Sequence, residues 1–424
     1  MRKSIFVTLL VLFTQTLFSQ TKDEIIIKDA NIISMKNEKQ VSLKSVLIKN
    51  GKIIQIDDYV KIKKSKTAKI IDAKGKYVMP GLADMHVHLP SAGKIDTLLL
   101  TNLAAGITHI RVMNNEEAQL QTKARLAKDV GIASPKMHYS FLVTKDMKFT
   151  AKQFDSLAKD VKQKGYDFIK LFSIADEAAF ANLMSSANKN KIMVCGHFPG
   201  AVSIDKVINS GFKSIEHLGG YDKLKDSTLL TAAIKLSKEK GMYNCPTLDY
   251  DVMAAYQSFP DDYKNRLVFS FAPKKLLDTW EIEYKKGVEE NGGADKILEF
   301  KNKYNPLFKN KLSIAKKLAD ANCNLLMGSD PGSPFQMAGF NVYEEMLLWA
   351  KAGISNYQIL RSATIVPAQF FGQEKKWGSI EVGKDADVII LEKNPLENIL
   401  NIGTVETTIC NGKVYRKKEI LNSL

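Results

Sequence analysis

Apolar residues along the chain fall into two patterns. From Asp23 to about Lys76, and again from residue 378 onward, short apolar runs alternate with polar positions and are broken by turns. The runs are "EIIIKDANIISM", "SVLIKNGKIIQID" and "AKIIDAKGKYVMP" near the start, and "GSIEVGKDADVIILE" and "ETTICNGKVYRKKEI" near the end. Such runs, bounded by turn residues, predict strands. Asn50-Gly51 and Asn411-Gly412 are the dipeptides that turn a two-residue hairpin most readily. Both ends therefore predict β structure, and residues 21–78 plus 378–424 are expected to form one small β-sandwich.

Between them, apolar runs alternate with helical periodicity. The candidate strands are "ADMHVH", "ITHIRVM", "KMHYSFLV", "DFIKLF", "IMVCGH", "SIEHL", "YNCPTL" and "NLLMGSD", separated by stretches such as "TAKQFDSLAKDVKQKG" and "LSIAKKLADANC". Eight strand–helix units over residues 79–377 predict an α/β chain folded as a (β/α)8 barrel, whose chemistry sits at the C-terminal ends of the strands. The connection at 249–311 is far longer than the others and rich in aromatics and lysine. Loops of that size are usually functional, and a helical lid over the pocket is the expectation.

Length and composition change this picture little. At 424 residues, with 45% hydrophobic and 25% charged positions, the chain suits a large barrel with an appendage. A formal charge of +15 raises nucleic acid as a partner. The lysines, however, are spread throughout, and no zinc-finger or RNA-binding signature accompanies the dense patch "KIKKSKTAK". A solvated basic surface is the better account. The opening "MRKSIFVTLLVLFTQTLFSQ" has charged, apolar and then small polar residues in the order of a secretory signal peptide. Its apolar run is short for a membrane span. Export is expected after cleavage near Ser19 or Gln20, leaving no stable span. Cys195, Cys245, Cys323 and Cys410 are spaced unlike a disulfide framework or a zinc knuckle, and buried free thiols are expected.

Chemistry enters with "GLADMHVH". The chain has six histidines, and two of them, His86 and His88, lie one residue apart. Residues i and i+2 of a strand share a face, so these two imidazoles would converge. The barrel reading demands that further ligands end other strands. Lys170 lies on strand four, His197 ends strand five, His217 ends strand six and Asp330 ends strand eight. Four histidines, a lysine and an aspartate on one rim suffice for two divalent ions. His109 and His138 fall inside their strands and are read as packing or supporting residues.

With these segments in place, the chain resembles the amidohydrolase superfamily. The resemblance is carried by "VMPGLADMHVH", "GITHIRV", "FIKLF", "VCGHFPG", "SIEHLGG", "PTL", "GSDPG", "AGISNYQILRSATIVPAQFFG" and "GSIEVGKDADVIIL", and spans nearly the whole mature length. It implies a distorted (β/α)8 barrel with a β-sandwich from both ends. It also implies a divalent metal hydrolase in which a carbamate on Lys170 bridges two ions, with zinc the expected metal. On that pattern one ion takes His86, His88 and Asp330, and the other takes His197 and His217. Asp330 is the implied catalytic proton carrier for a shared hydroxide. The lysine implies the two-metal group, within which "FIK" with "IEH" is most similar to the Xaa-Pro and related dipeptidases, with imidazolonepropionase-like members also similar. It departs from many relatives at Pro199 and at "FNVYEEM", both toward the substrate end.

The function so implied is cleavage of a C–N bond in a dipeptide, an N-acyl amino acid or another small amide. Alternatives are a cyclic-amide or lactone hydrolase, a mononuclear deaminase, and an inactive barrel that only binds a ligand. The expected partner is a small molecule, with neither nucleic acid nor membrane, and relatives' habits leave room for a homo-oligomer.

Overall fold

A computed structural model of the chain describes residues 24–38, 41–90, 92–114, 117–253, 265–332 and 334–424. The expected signal peptide, residues 1–20, lies outside them.

Five N-terminal strands, β1 (Glu24–Ile33), β2 (Val41–Lys49), β3 (Lys52–Asp57), β4 (Lys69–Asp72) and β5 (Tyr77–Pro80), open the chain. Asn50 and Gly51 both have positive φ (53° and 70°), the conformation the β2–β3 hairpin requires. The middle of the chain supplies β6 (Leu82–Val87), β7 (Ile107–Val112), β8 (Lys136–His138), β9 (Ser140–Val143), β10 (Phe168–Leu171), β11 (Met193–Gly196), β12 (Ser214–Glu216), β13 (Tyr243–Cys245) and β14 (Asn324–Leu325). The C-terminal part returns with β15 (Val388–Leu391), β16 (Val405–Cys410) and β17 (Lys413–Arg416).

The two ends merge in one eight-stranded sheet of order β17-β16-β15-β5-β1-β2-β3, with β4 also on β1. Its seam is antiparallel, Val78 against Ile390. A register shift between Ile27 and Ala30 lets the first half of β1 pair with β4 and the second half with β5. The sheet curls, so that Val46, Ile48 and Ile53 share a core with Val388, Ile390 and Ile409. The expected sandwich is thus a single sheet folded over its own core. Side chains alternate across a strand, and the other face of β15 sends Ile389 and Leu391 into the barrel core.

The barrel strands are parallel, but strand three is divided. Lys136–His138 pairs with β7, whereas Ser140–Val143 pairs with β10. At the break, the Tyr139 amide donates to Asp167 Oδ2 at 2.7 Å instead of to a strand neighbour. Strand eight is regular only at Asn324–Leu325, shorter than the expected run to Asp330. Beyond it, Met85 N donates to Met327 O and Asp330 N to His86 O, closing the barrel. Gly328 allows this closure, because a Cβ there would lie 2.5 Å from Cys245 Sγ and 2.9 Å from His86 Cβ. In the insertion, helices span Leu248–Met253, Lys274–Glu290 and Ala294–Asp320, the last ending one turn before strand eight. Residues 254–264 of the insertion lie outside the described part.

His109 and His138 pack at the base of the barrel, stacked on Trp377 (3.6 Å) and Phe371 (3.7 Å). All four cysteines are buried free thiols. Asp387, just before β15, ties the sheet to the barrel: His109 Nε2 donates to its Oδ2 at 3.1 Å and Lys136 Nζ at 2.7 Å. Burial alone would raise this carboxyl, but the His109 hydrogen bond and the charges of His109 and Lys136 outweigh it and hold it at about 2. A folded pKa below the unfolded value of about 3.9 gives stability that is complete above that value. It is lost as pH falls from about 4 towards 2, by on the order of a few kcal/mol. The denaturant midpoint should therefore fall more steeply between pH 5 and 2.5 in the wild type than in Asp387→Asn. Equal slopes would remove Asp387 from the account.

Candidate metal centre

The six residues predicted from strand ends meet at the C-terminal mouth of the barrel. Asp330 lies amid three histidines: its Oδ1 is 3.4 Å from His88 Nε2, and its Oδ2 is 3.6 Å from His86 Nε2 and 3.9 Å from His217 Nε2. His86, His217 and Asp330 offer ligand atoms all within 4.8 Å of one another. His197 adjoins from strand five, its ring 5.0 Å from that of His217. Lys170, on β10 beside Cys195 of β11, is buried. Tyr250, which the sequence reading left aside, stands over the cluster with its ring 5.7 Å from His217.

Each Nδ1 that has a partner is used in holding its ring. His86 Nδ1 donates to Glu216 Oε2 at 2.9 Å, His197 Nδ1 to Phe172 O at 3.1 Å, and His217 Nδ1 to Thr247 Oγ1 at 2.6 Å. The Thr247 hydroxyl passes its own proton to Pro246 O, so it accepts from the histidine. This fixes the tautomer and turns the three Nε2 lone pairs inward, the arrangement metal-ligating histidines share. Burial lowers all four histidine pKa values, those of His88 and His197 to about 4. The imidazoles are thus neutral and available as donors.

Beneath His86 lies a buried pair that the sequence reading quoted without assigning. Arg111 NH2 donates to both Glu216 oxygens at 2.9 and 2.8 Å, and NH1 donates to Ser214 Oγ at 2.9 Å. Ser214 Oγ in turn donates to Glu216 Oε1 at 2.6 Å. Burial would raise the Glu216 carboxyl, yet the charge of Arg111 above all keeps it lowered, hence ionised and able to accept from His86. The one visible signal was charge inside strands that are otherwise apolar, "ITHIRV" and "SIEH". On the other side, the Asp84 carboxylate accepts from the amides of His86 and Ser329 at 3.2 and 3.0 Å, joining strands one and eight.

Backbone strain concentrates here. His217, Thr247 and Asp330 have φ of 61°, 48° and 45°, a region that costs non-glycine residues roughly 1–3 kcal/mol each. Gly196, next to His197, has φ 141°, and a Cβ there would sit 2.2 Å from Leu171 O. Bonds from His217 N to Cys245 O and from Asp330 N to His86 O hold two of the strained residues in place.

Two buried polar atoms of the cluster have no hydrogen-bond partner, His86 Nε2 and Lys170 Nζ. Orphaned buried polar groups are rare and call for an explanation. A divalent cation among these neutral imidazoles and the carboxylate would account for the first. The donor set fits a metal centre.

A family model described as "Amidohydrolase family" matches residues 77–415. The chain is 26% identical over 455 residues to the 5'-deoxyadenosine deaminase of Methanobrevibacter smithii, covering 95% of each. It is 28% identical over 217 residues to the dihydroorotase of Elusimicrobium minutum, spanning about half (49%) of that relative. Its fold matches a crystal structure of a Xaa-Pro dipeptidase with bound methionine in the active site, with a TM-score of 0.69, 20% identity, and coverage of 93% of this chain and 100% of that one. A match of this extent, over a barrel and a cluster of this build, places the chain in the amidohydrolase family, as a hydrolase acting on carbon–nitrogen bonds.

Proposed function

We propose that the protein is an exported binuclear metallohydrolase that cleaves the C–N bond of a dipeptide, an N-acyl amino acid or another small amide. The observation that carries this is the convergence of three neutral histidines on Asp330, with His197 adjoining His217, beside the partnerless amine of Lys170. His86, His88 and Asp330 would hold one ion, His197 and His217 the other, with Lys170 as a carbamate between them. Burial lowers the Lys170 pKa, against the raising effect of Glu216, and so favours the neutral amine, the form that adds to carbon dioxide. The mixed nitrogen and oxygen donors suit zinc, and also manganese or cobalt.

Bound ions at such a site supply polarisation of a carbonyl and acidification of water towards neutral pH. The chain supplies the rest. Asp330, whose carboxyl is driven upward chiefly by burial, accepts a proton from the attacking water and hands it to the departing nitrogen. The fixed Nδ1 bonds of His86, His197 and His217 keep the histidines from turning as this happens. Tyr250 stands where it can meet a substrate above His217. Export rests on the order of residues in the first twenty positions.

A deaminase is the second reading, favoured by the relative that matches along 95% of both chains. Lys170 is the feature against it, since a single-metal site has no use for a bridging carbamate. Elemental analysis of protein purified without chelators, paired with turnover of N-acetyl amino acids and of 5'-deoxyadenosine, separates the two. About two divalent ions per chain with amide hydrolysis, abolished by chelation and restored by metal, is the expected result. One ion with ammonia release from the nucleoside would replace the first reading by the second.

A further inference from the structure

A cavity of about 800 Å³ adjoins the cluster, and His197 and His217 form part of its wall. It runs between the helices Ile204–Asn209 and Ser227–Lys240. Its size suits a small-molecule ligand, and its lining is mainly apolar: Phe198, Val202, Leu224, Leu229, Ala232 and Leu236. The cationic side chain among the lining residues is Lys223, which is 83% exposed and 3.8 Å from Asp222. Asp205, Asp222 and, at the cluster end, Glu216 add negative charge. A substrate carboxylate would find no buried cation among the lining residues and three like charges, whereas an uncharged apolar chain would find complementary surface.

Phe198 is the side chain of this wall that follows directly on a histidine of the cluster. Its position is built in by two glycines. A Cβ at Gly219 would lie 2.7 Å from Phe198 Cβ, and one at Gly220, where φ is +84°, would lie 2.7 Å from the ring. The pair Gly219-Gly220 is therefore the seat of the phenyl ring, and the ring sets how far the cavity extends from His197.

We propose that this cavity receives the acyl side of the substrate, which makes the substrate class amides of medium-length aliphatic or arylalkyl carboxylic acids, with Phe198 as a specificity-determining residue. This rests on the amide-hydrolase reading above. Any carboxylate on the departing amine lies outside the cavity. Each added methylene taken up by an apolar site is worth about three- to fourfold in kcat/KM, so N-hexanoylglycine should exceed N-acetylglycine by on the order of a hundredfold.

The test uses the metal-loaded full chain with that pair of substrates. Ala232→Trp, which fills the cavity from an exposed helix position, should erase the hexanoyl advantage. Phe198→Ala should move the optimum to longer acyl chains. Turnover of both substrates with no chain-length preference, or a preference untouched by Ala232→Trp, would overturn the assignment while leaving amide hydrolysis standing. If neither substrate is turned over, it is the hydrolase reading that fails, and calorimetric binding of N-hexanoylglycine then decides the cavity separately. Binding weakened at least tenfold by Ala232→Trp supports the cavity, and binding that is absent or unchanged overturns it.

Discussion

Lys170→Met is expected to stabilise the metal-free protein while removing its activity. The wild-type amine is buried with no hydrogen-bond partner, and burial of an uncompensated polar group costs roughly 1–3 kcal/mol in proteins. Methionine is an apolar side chain of similar length and should recover part of that cost. The metal-loaded protein should behave oppositely: about two ions per chain should fall to one or fewer, and kcat/KM should drop by at least about 10³. Losing one ion removes both carbonyl polarisation and help in activating water, effects worth several kcal/mol together. Thermal melts of the metal-free forms, elemental analysis and kinetics make a three-way check. A variant that keeps two ions and its activity would make Lys170 an ordinary core lysine. One that melts lower without metal would show that the amine has a partner in the free protein.

The second large effect falls on stability, at Arg111 and Glu216. Both side chains are fully buried and joined by two short bonds. Removing one partner of such a pair strands a charge and costs about 3–5 kcal/mol, whereas replacing both by apolar residues can be close to neutral. Arg111→Leu alone should therefore lower the unfolding free energy by about 3–5 kcal/mol, and Arg111→Leu with Glu216→Leu should restore most of it. The double variant should nevertheless bind metal about 10- to 100-fold more weakly, because His86 Nδ1 has lost its acceptor. Strict additivity of the two single costs would show that the residues act independently. Unaltered metal affinity would show that His86 does not need the bond.

These residues mark the boundary of what the sequence made legible. His86, His88, His197, His217 and Asp330 could be read as a set because each is polar at the end of an apolar run, Lys170 joins them as a charge within the apolar strand four, and a barrel brings the ends of its strands together. Two hairpins were readable for a similarly local reason, since Asn-Gly demands positive φ at both positions. Arg111 and Glu216 were not readable as a pair. Each stands out in its own strand, but 105 positions separate them, and nothing local names the partner. The division of strand three was hidden as well: "KMHYSFLV" is one apolar run, and only the bond from Tyr139 to Asp167 diverts it. Strand eight ends early because its continuation is packed against His86 and Cys245 at Gly328, a constraint imposed from strands one and seven.

The seam between β5 and β15 carries a consequence for how the molecule is made. Val78 and Ile390 are paired although more than three hundred positions separate them. Contacts of such long range are slow to form, because the loop between them must close first. A chain growing from its N-terminus exposes the β5 edge throughout synthesis of the barrel, and an open edge invites pairing with other chains. Shortening the protein from its C-terminus would therefore leave a permanently sticky strand, and loss of solubility would precede loss of the metal ligands.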